Sequence, residues 1–153
     1  MNQIQAKYEK SKYSQKAHLT INVDGKYLDL ILHEFYPNQN LIGLVPTLLN
    51  WLEDPKERQL VWNRIESNER QVVPILMCPD DVDLWCTVIV AEVEKTNDSV
   101  KWLRLGIDIG GPDNMPDSIG TTVDWFDKIE PMEFDKTEYE KFISEFKAAI
   151  DKD

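Results

Sequence analysis

Residues 84–109 read LWCTVIVAEVEKTNDSVKWLRLGIDI. In the first run both parities are apolar: Leu84, Cys86, Val88 and Val90 on one, Trp85, Ile89, Ala91 and Val93 on the other. A strand that is apolar on both sides sits inside a sheet, covered on both faces. Lys95-Thr96-Asn97-Asp98-Ser99 is a polar turn, and Val100–Ile109 resumes the β-formers. The two runs therefore pair as an antiparallel hairpin.

Working upstream, Val72, Val73, Ile75 and Leu76 give another strand. Before it, Asp54-Pro55-Lys56-Glu57 combines an N-cap, a proline at the first helical position and a glutamate three residues after the cap. That is a capping box with proline where it costs least. Leu60, Val61 and Ile65 line one face of the helix it opens, over about 55–66. Leu48, Leu49 and Leu52, with Trp51, recur at helical spacing and predict a first short helix over about 46–52. Earlier still, Leu19, Ile21 and Val23 alternate with polar residues. Asp24-Gly25 tolerates positive φ, and Tyr27, Leu28, Leu30, Ile31 and Leu32 continue the apolar run, which reads as a hairpin.

Downstream, GGPDNMPDSIG (110–120) is the longest irregular segment within the body. Loops of this length concentrate recognition residues. Short β segments follow at Thr122–Phe126 and Ile129–Phe134. A last helix is capped by Asp135 with Glu138 three on, and its Tyr139, Phe142, Ile143, Phe146 and Ile150 form one face. The expected architecture is a single α+β domain. It has a mainly antiparallel sheet of about six strands, two short helices after the first hairpin, and a C-terminal helix. Residues 1–16 are set apart from domain 17–153 by charge: Lys7, Lys10, Lys12 and Lys16 against Glu9 give +3, leaving −14 on the rest. They read as a frayed terminus, or as a basic arm that is mobile or laid over the acidic body.

The chain has 153 residues with 17 basic and 28 acidic side chains, a formal charge of −11. Phosphate backbones are bound by Lys and Arg, so this balance argues against a nucleic-acid partner and against an anionic membrane. No apolar run approaches the roughly 18–20 residues of a membrane span. The opening MNQIQAKYEKSKYSQK lacks the apolar stretch of a secretory signal. Cys78 and Cys86, the only cysteines, stand in apolar surroundings and read as reduced, buried thiols, which suits a cytoplasmic location.

Chemical motifs are sparse. Cys78, Cys86, His18 and His33 would complete a zinc set, but the short paired spacings of zinc ligands are absent. A Cys78–histidine pair would serve a small cysteine-dependent enzyme, although no G-x-S-x-G elbow or other nucleophile signature accompanies it. Gly106, Gly110 and Gly111 follow a strand but lead into neither a lysine nor a helix start, so no phosphate cradle is read there. The carboxylates are the most distinctive feature: Asp80, Asp81 and Asp83; Asp108, Asp113 and Asp117; Asp124, Asp127, Glu130 and Glu133. They lack the calcium-loop spacing, so no metal and no cofactor is expected. A solvated acidic face is one reading of these clusters. A partner surface is the other, because Trp85, Trp125 and Phe126 interleave with them: charges steer encounter and aromatic anchors hold it. Trp62 and Trp102 read as core. The candidate partner-binding residues are Asp80, Asp81, Asp83, Asp113, Asp117, Asp124, Trp125 and Phe126, with no catalytic set.

VVPILMCPDDVDLWCTVIVAEV (72–93), VKWLRLGIDIG (100–110) and IGTTVDWFDKIEPMEFDKTEYEKFISEF (119–146) resemble small bacterial immunity proteins, the partners of polymorphic or contact-dependent toxins. The likeness covers about residues 71–147 and brings no defined binding motif. It implies a cytoplasmic α+β protein that binds and blocks a cognate toxin, with no enzymatic activity. With the charge, it leads to the expectation of an inhibitor that occupies a basic toxin surface. A cysteine-dependent enzyme and a structural or adaptor protein are the alternatives.

Overall fold

The structure, a computed structural model, describes residues 1–10, 17–79, 84, 87–110 and 118–152. Its centre is the predicted hairpin. Strands β6 (Val88–Lys95) and β7 (Ser99–Asp108) pair antiparallel, with Ile89 opposite Ile107 and Lys95 opposite Val100. The turn is closed locally: the Thr96 N–H donates to the Ser99 carbonyl at 2.9 Å, and the Ser99 N–H donates to Thr96 Oγ1 at 3.0 Å. Val88 to Ala91 are all buried, as a strand apolar on both parities requires.

On one side of this hairpin, β5 (Gln71–Met77) pairs antiparallel with β6, and the two-residue β4 (Val45–Pro46) pairs with β5. On the other side, β7 carries two short partners, β8 (Val123–Trp125) at its C-terminal end and β9 (Met132–Asp135) at its start. Together these make a six-stranded antiparallel sheet. The α+β class and the mainly antiparallel sheet are thus as expected.

A second, three-stranded sheet departs from the expectation. Its strands are β1 (Ile4–Lys10), β2 (Ala17–Val23) and β3 (Lys26–Tyr27). Asp24 (φ 53°) and Gly25 (φ 86°) make the expected turn after β2. The run beyond it is not a long return strand. After two residues it becomes helix α1 (Leu28–Phe35), burying Leu28 and Leu32 one turn apart. A short apolar run satisfies both periods, and here the strand role beside β2 goes to the N-terminal segment instead. Ile4 to Lys10 pair with Val23 to Ala17, so this part of the basic segment is a strand with Ile4 in the core. The N-terminus is also stitched to the larger sheet: the Asn2 N–H donates to the Glu133 carbonyl at 2.7 Å, and the Glu133 N–H donates to Asn2 Oδ1 at 2.9 Å.

The helix expected over 46–52 is likewise absent. Thr47 spends its N–H on the Ile75 carbonyl (3.0 Å) and its hydroxyl on the Pro74 carbonyl (2.7 Å), so the chain follows the edge of β5 through a turn. Leu48, Leu49 and Leu52 are still buried, so the apolar spacing marked core positions without marking a helix. Helix α2 (Pro55–Glu66) begins as predicted, with Asp54 Oδ1 accepting from the Lys56 N–H at 2.9 Å. Glu57, read as the return arm of a capping box, is buried and accepts from the Leu84 N–H at 2.6 Å. Helix α3 (Lys136–Lys152) starts from Asp135, whose Oδ2 accepts from the Glu138 N–H at 3.0 Å. Its Tyr139, Phe142 and Phe146 extend an aromatic chain from Trp102 and Phe134 through the core.

Cys78 corrects a further expectation. It is disulfide-bonded rather than a free thiol. The only other cysteine of the chain, Cys86, lies outside the described residues. Apolar neighbours fit a buried thiol and a buried disulfide sulfur equally well, so the sequence did not distinguish the two. The inference from reduced thiols to a reducing compartment therefore loses its premise.

Candidate functional site

Three of the eight candidate residues are described: Asp124, Trp125 and Phe126. Asp80, Asp81, Asp83, Asp113 and Asp117, like Trp85, lie outside the described residues. Strand β8 places the three on the edge of the larger sheet. Trp125 stands opposite Gly106 and Asp124 opposite Ile107, and the Phe126 N–H donates to the Leu105 carbonyl at 2.8 Å. Gly106 makes this approach possible. A Cβ there would sit 2.7 Å from the Asp124 carbonyl oxygen and 3.0 Å from the Trp125 Cα, so any side chain displaces β8.

Trp125 is half-buried and held from above. The Arg104 guanidinium lies 3.9 Å from its ring centroid, and Glu92 Oε1 accepts from Arg104 Nε at 3.0 Å. The cation is thus fixed between a carboxylate and an aromatic face, an attraction worth about 0.5–1 kcal/mol where exposed. Asp124, the residue before it in β8, is exposed and by strand alternation turns its side chain to the opposite face. Asp108, at the end of β7, accepts from the Gly120 N–H at 3.0 Å and so fastens the return of the long loop to the sheet.

Phe126 departs from its expected role as an exposed anchor. It is 5% exposed and packs 4.6 Å from the Tyr36 ring. The following Asp127 and Lys128 are then recruited to hold Tyr36: its hydroxyl donates to Asp127 Oδ1 and accepts from the Lys128 N–H, both at 2.9 Å. Burial, more than the adjacent carboxylate, raises the Tyr36 phenol above its ordinary value, so it stays a neutral donor at physiological pH. Tyr36 and Arg104 both support the edge. Neither was legible as a partner, since both act across the fold rather than along the chain.

A second polar assembly escaped the sequence reading. Asp29, in the first turn of α1, is 7% exposed. Its Oδ2 accepts from the Gly43 N–H at 2.9 Å, and Oδ1 has no hydrogen-bond partner. Burial raises its pKa, an effect opposed by backbone donors and by His18. His18 is itself buried, its ring 5.1 Å from that of Trp51. These groups tie α1 to β2 and to the 41–51 segment. Among the described residues no three of His, Cys, Asp and Glu converge as a metal ion would require. A disulfide sulfur is not a thiolate, so Cys78 offers no nucleophile in this state.

Comparison with protein families, curated proteins and solved structures gave no match for this chain. No helix among the described residues is long and apolar enough to cross a membrane.

Proposed function

We propose that this chain is a non-enzymatic, immunity-type inhibitor that binds and neutralises a cognate bacterial toxin through the acidic edge around β8. The observation that carries the reading is an edge strand that offers an exposed carboxylate, Asp124, and, next to it in the chain, a tryptophan clamped in place by Arg104. A preset aromatic loses little freedom on binding, and a rim carboxylate steers a basic partner. The net charge of −11 adds a long-range attraction to the same class of partner. Asp80, Asp81, Asp83, Asp113 and Asp117 join the proposal through sequence alone, while Phe126 leaves it because it is core.

Binding kinetics against the protein encoded next to this chain test the surface. Asp124→Lys should lower the association rate about tenfold at low salt and flatten its salt dependence, with the dissociation rate little changed. Unaltered association and salt dependence would remove the β8 edge from the interface.

A further inference from the structure

The basic N-terminal segment has no place in the β8 edge, yet its strand has a side to spare. Odd-numbered residues of β1 bond to β2, as the Asp24 N–H to Gln3 carbonyl bond of 2.8 Å shows. Even-numbered residues therefore turn their N–H and C=O groups outward. The first two outward donors are taken: the Asn2 N–H by the Glu133 carbonyl, and the Ile4 N–H by Glu138 Oε1 at 2.6 Å. Beyond them, among the described residues, neither the N–H and C=O of Ala6 nor the N–H of Tyr8 has a hydrogen-bond partner.

Of these residues Ala6 lines a groove of about 550 Å³ between β1 and α3, and Tyr8 follows on the same edge. Ile4, Ala6 and Phe142 give it apolar lining, and Asp135, Glu138 and Glu145 set three carboxylates on the α3 side against Lys141 there and Lys7 on β1. An open strand edge facing a helix is suited to an added strand, with main-chain bonds giving affinity and alternate side chains giving specificity.

We propose that this groove takes an extended, basic segment of the partner protein, added as a strand to the outer edge of β1. Every second side chain of the guest then faces α3, and Lys or Arg there meets the carboxylate wall. The inference rests on the basic-partner reading above, but its test needs neither the toxin nor growth.

The full-length chain would be titrated at low salt with a fluorescent, end-blocked Lys-Val-Lys-Val-Lys-Val peptide and with its Glu-Val-Glu-Val-Glu-Val twin. The basic peptide should bind at least about tenfold more tightly, and its binding should protect the Ala6 and Tyr8 amides from exchange. Ala6→Pro removes an outward N–H that no ladder bond uses, a position where an edge strand tolerates proline. It should weaken the basic peptide about tenfold while the unfolding midpoint stays put. Glu145→Lys, a half-buried position on α3 outside β1, should weaken it several-fold and serves if the proline variant misfolds. Parent-like binding by Glu145→Lys, equal binding of the two peptides, or unprotected Ala6 and Tyr8 amides would overturn the proposal. A dimer dissolved by Ala6→Pro would also overturn it, by assigning the groove to a second copy. If the peptide fails while the chain still neutralises its toxin, the groove inference falls and the functional reading stands.

Discussion

The larger sheet is built around a hairpin whose strands the apolar runs announce, whereas the first strand of the smaller sheet, though paired with its neighbour β2, is anchored by residues from the far end of the chain. β6 and β7 are joined by a turn of three residues, Thr96 to Asp98, and each apolar run announces its own strand. β1 is fixed by β2, by Glu133 and by Glu138, the last two more than 130 residues away. Alternation in the sequence identifies a strand, but an edge strand with Lys7, Glu9 and Lys10 alternates only weakly, and the carboxylate residues that anchor its start are remote. The contrast predicts that both regions are structural, although only one looks so in the sequence.

The largest effect should come from the hairpin. Trp102 is 1% exposed, meets Phe134 edge-on at 5.1 Å and donates to the Tyr139 hydroxyl at 3.3 Å. Trp102→Ala should cost about 3–5 kcal/mol in denaturant unfolding. Ile4 is also 1% exposed, so Ile4→Ala should cost about 2–4 kcal/mol, where a frayed arm would cost nothing measurable. Tyr8, 67% exposed on the same strand, is the control and should be near neutral.

Gly106→Ala should cost about 1–3 kcal/mol, because overpacking against the β8 backbone has no flexible side chain to absorb it. Its signature is local: the Phe126 amide should lose exchange protection before the β6–β7 amides do. Asp29→Asn has a pH signature instead. Burial raises the Asp29 pKa in the fold above its unfolded value of 3.8. Stability from this group is therefore full below pH 3.8 and declines as the pH rises through the folded value. Asparagine keeps an acceptor for the Gly43 N–H and carries no charge, so the variant should be the more stable one at pH 7, with its advantage vanishing in acid. Arg104→Ala should be the mildest, about 0.5–1 kcal/mol, with a shift in Trp125 fluorescence as the ring loses its cover.

What the sequence made legible follows the same division. Local signals held: the Lys95–Ser99 turn, the Asp54-Pro55 and Asp135 caps, and the burial of β6. Signals that depend on who lies alongside did not. Tyr27–Leu32 satisfies two periods, and tertiary packing chose the helix. Leu48, Leu49 and Leu52 are core without being helical, because Thr47 is tied to β5. At the candidate site, Asp124 and Trp125 were legible as charge beside an aromatic. The burial of Phe126 was not, since it is set by Tyr36, ninety residues earlier.

The central claim is neutralisation of a toxin, and co-expression measures it directly. The chain would be produced together with the product of its upstream neighbour, and growth scored against cells making that product alone. The account predicts growth arrest by the neighbour alone, rescue by the intact chain, and weakened rescue by Asp124→Lys at matched protein levels. Arrest that the folded, fully expressed chain fails to relieve, with no complex recovered between the two, would contradict it.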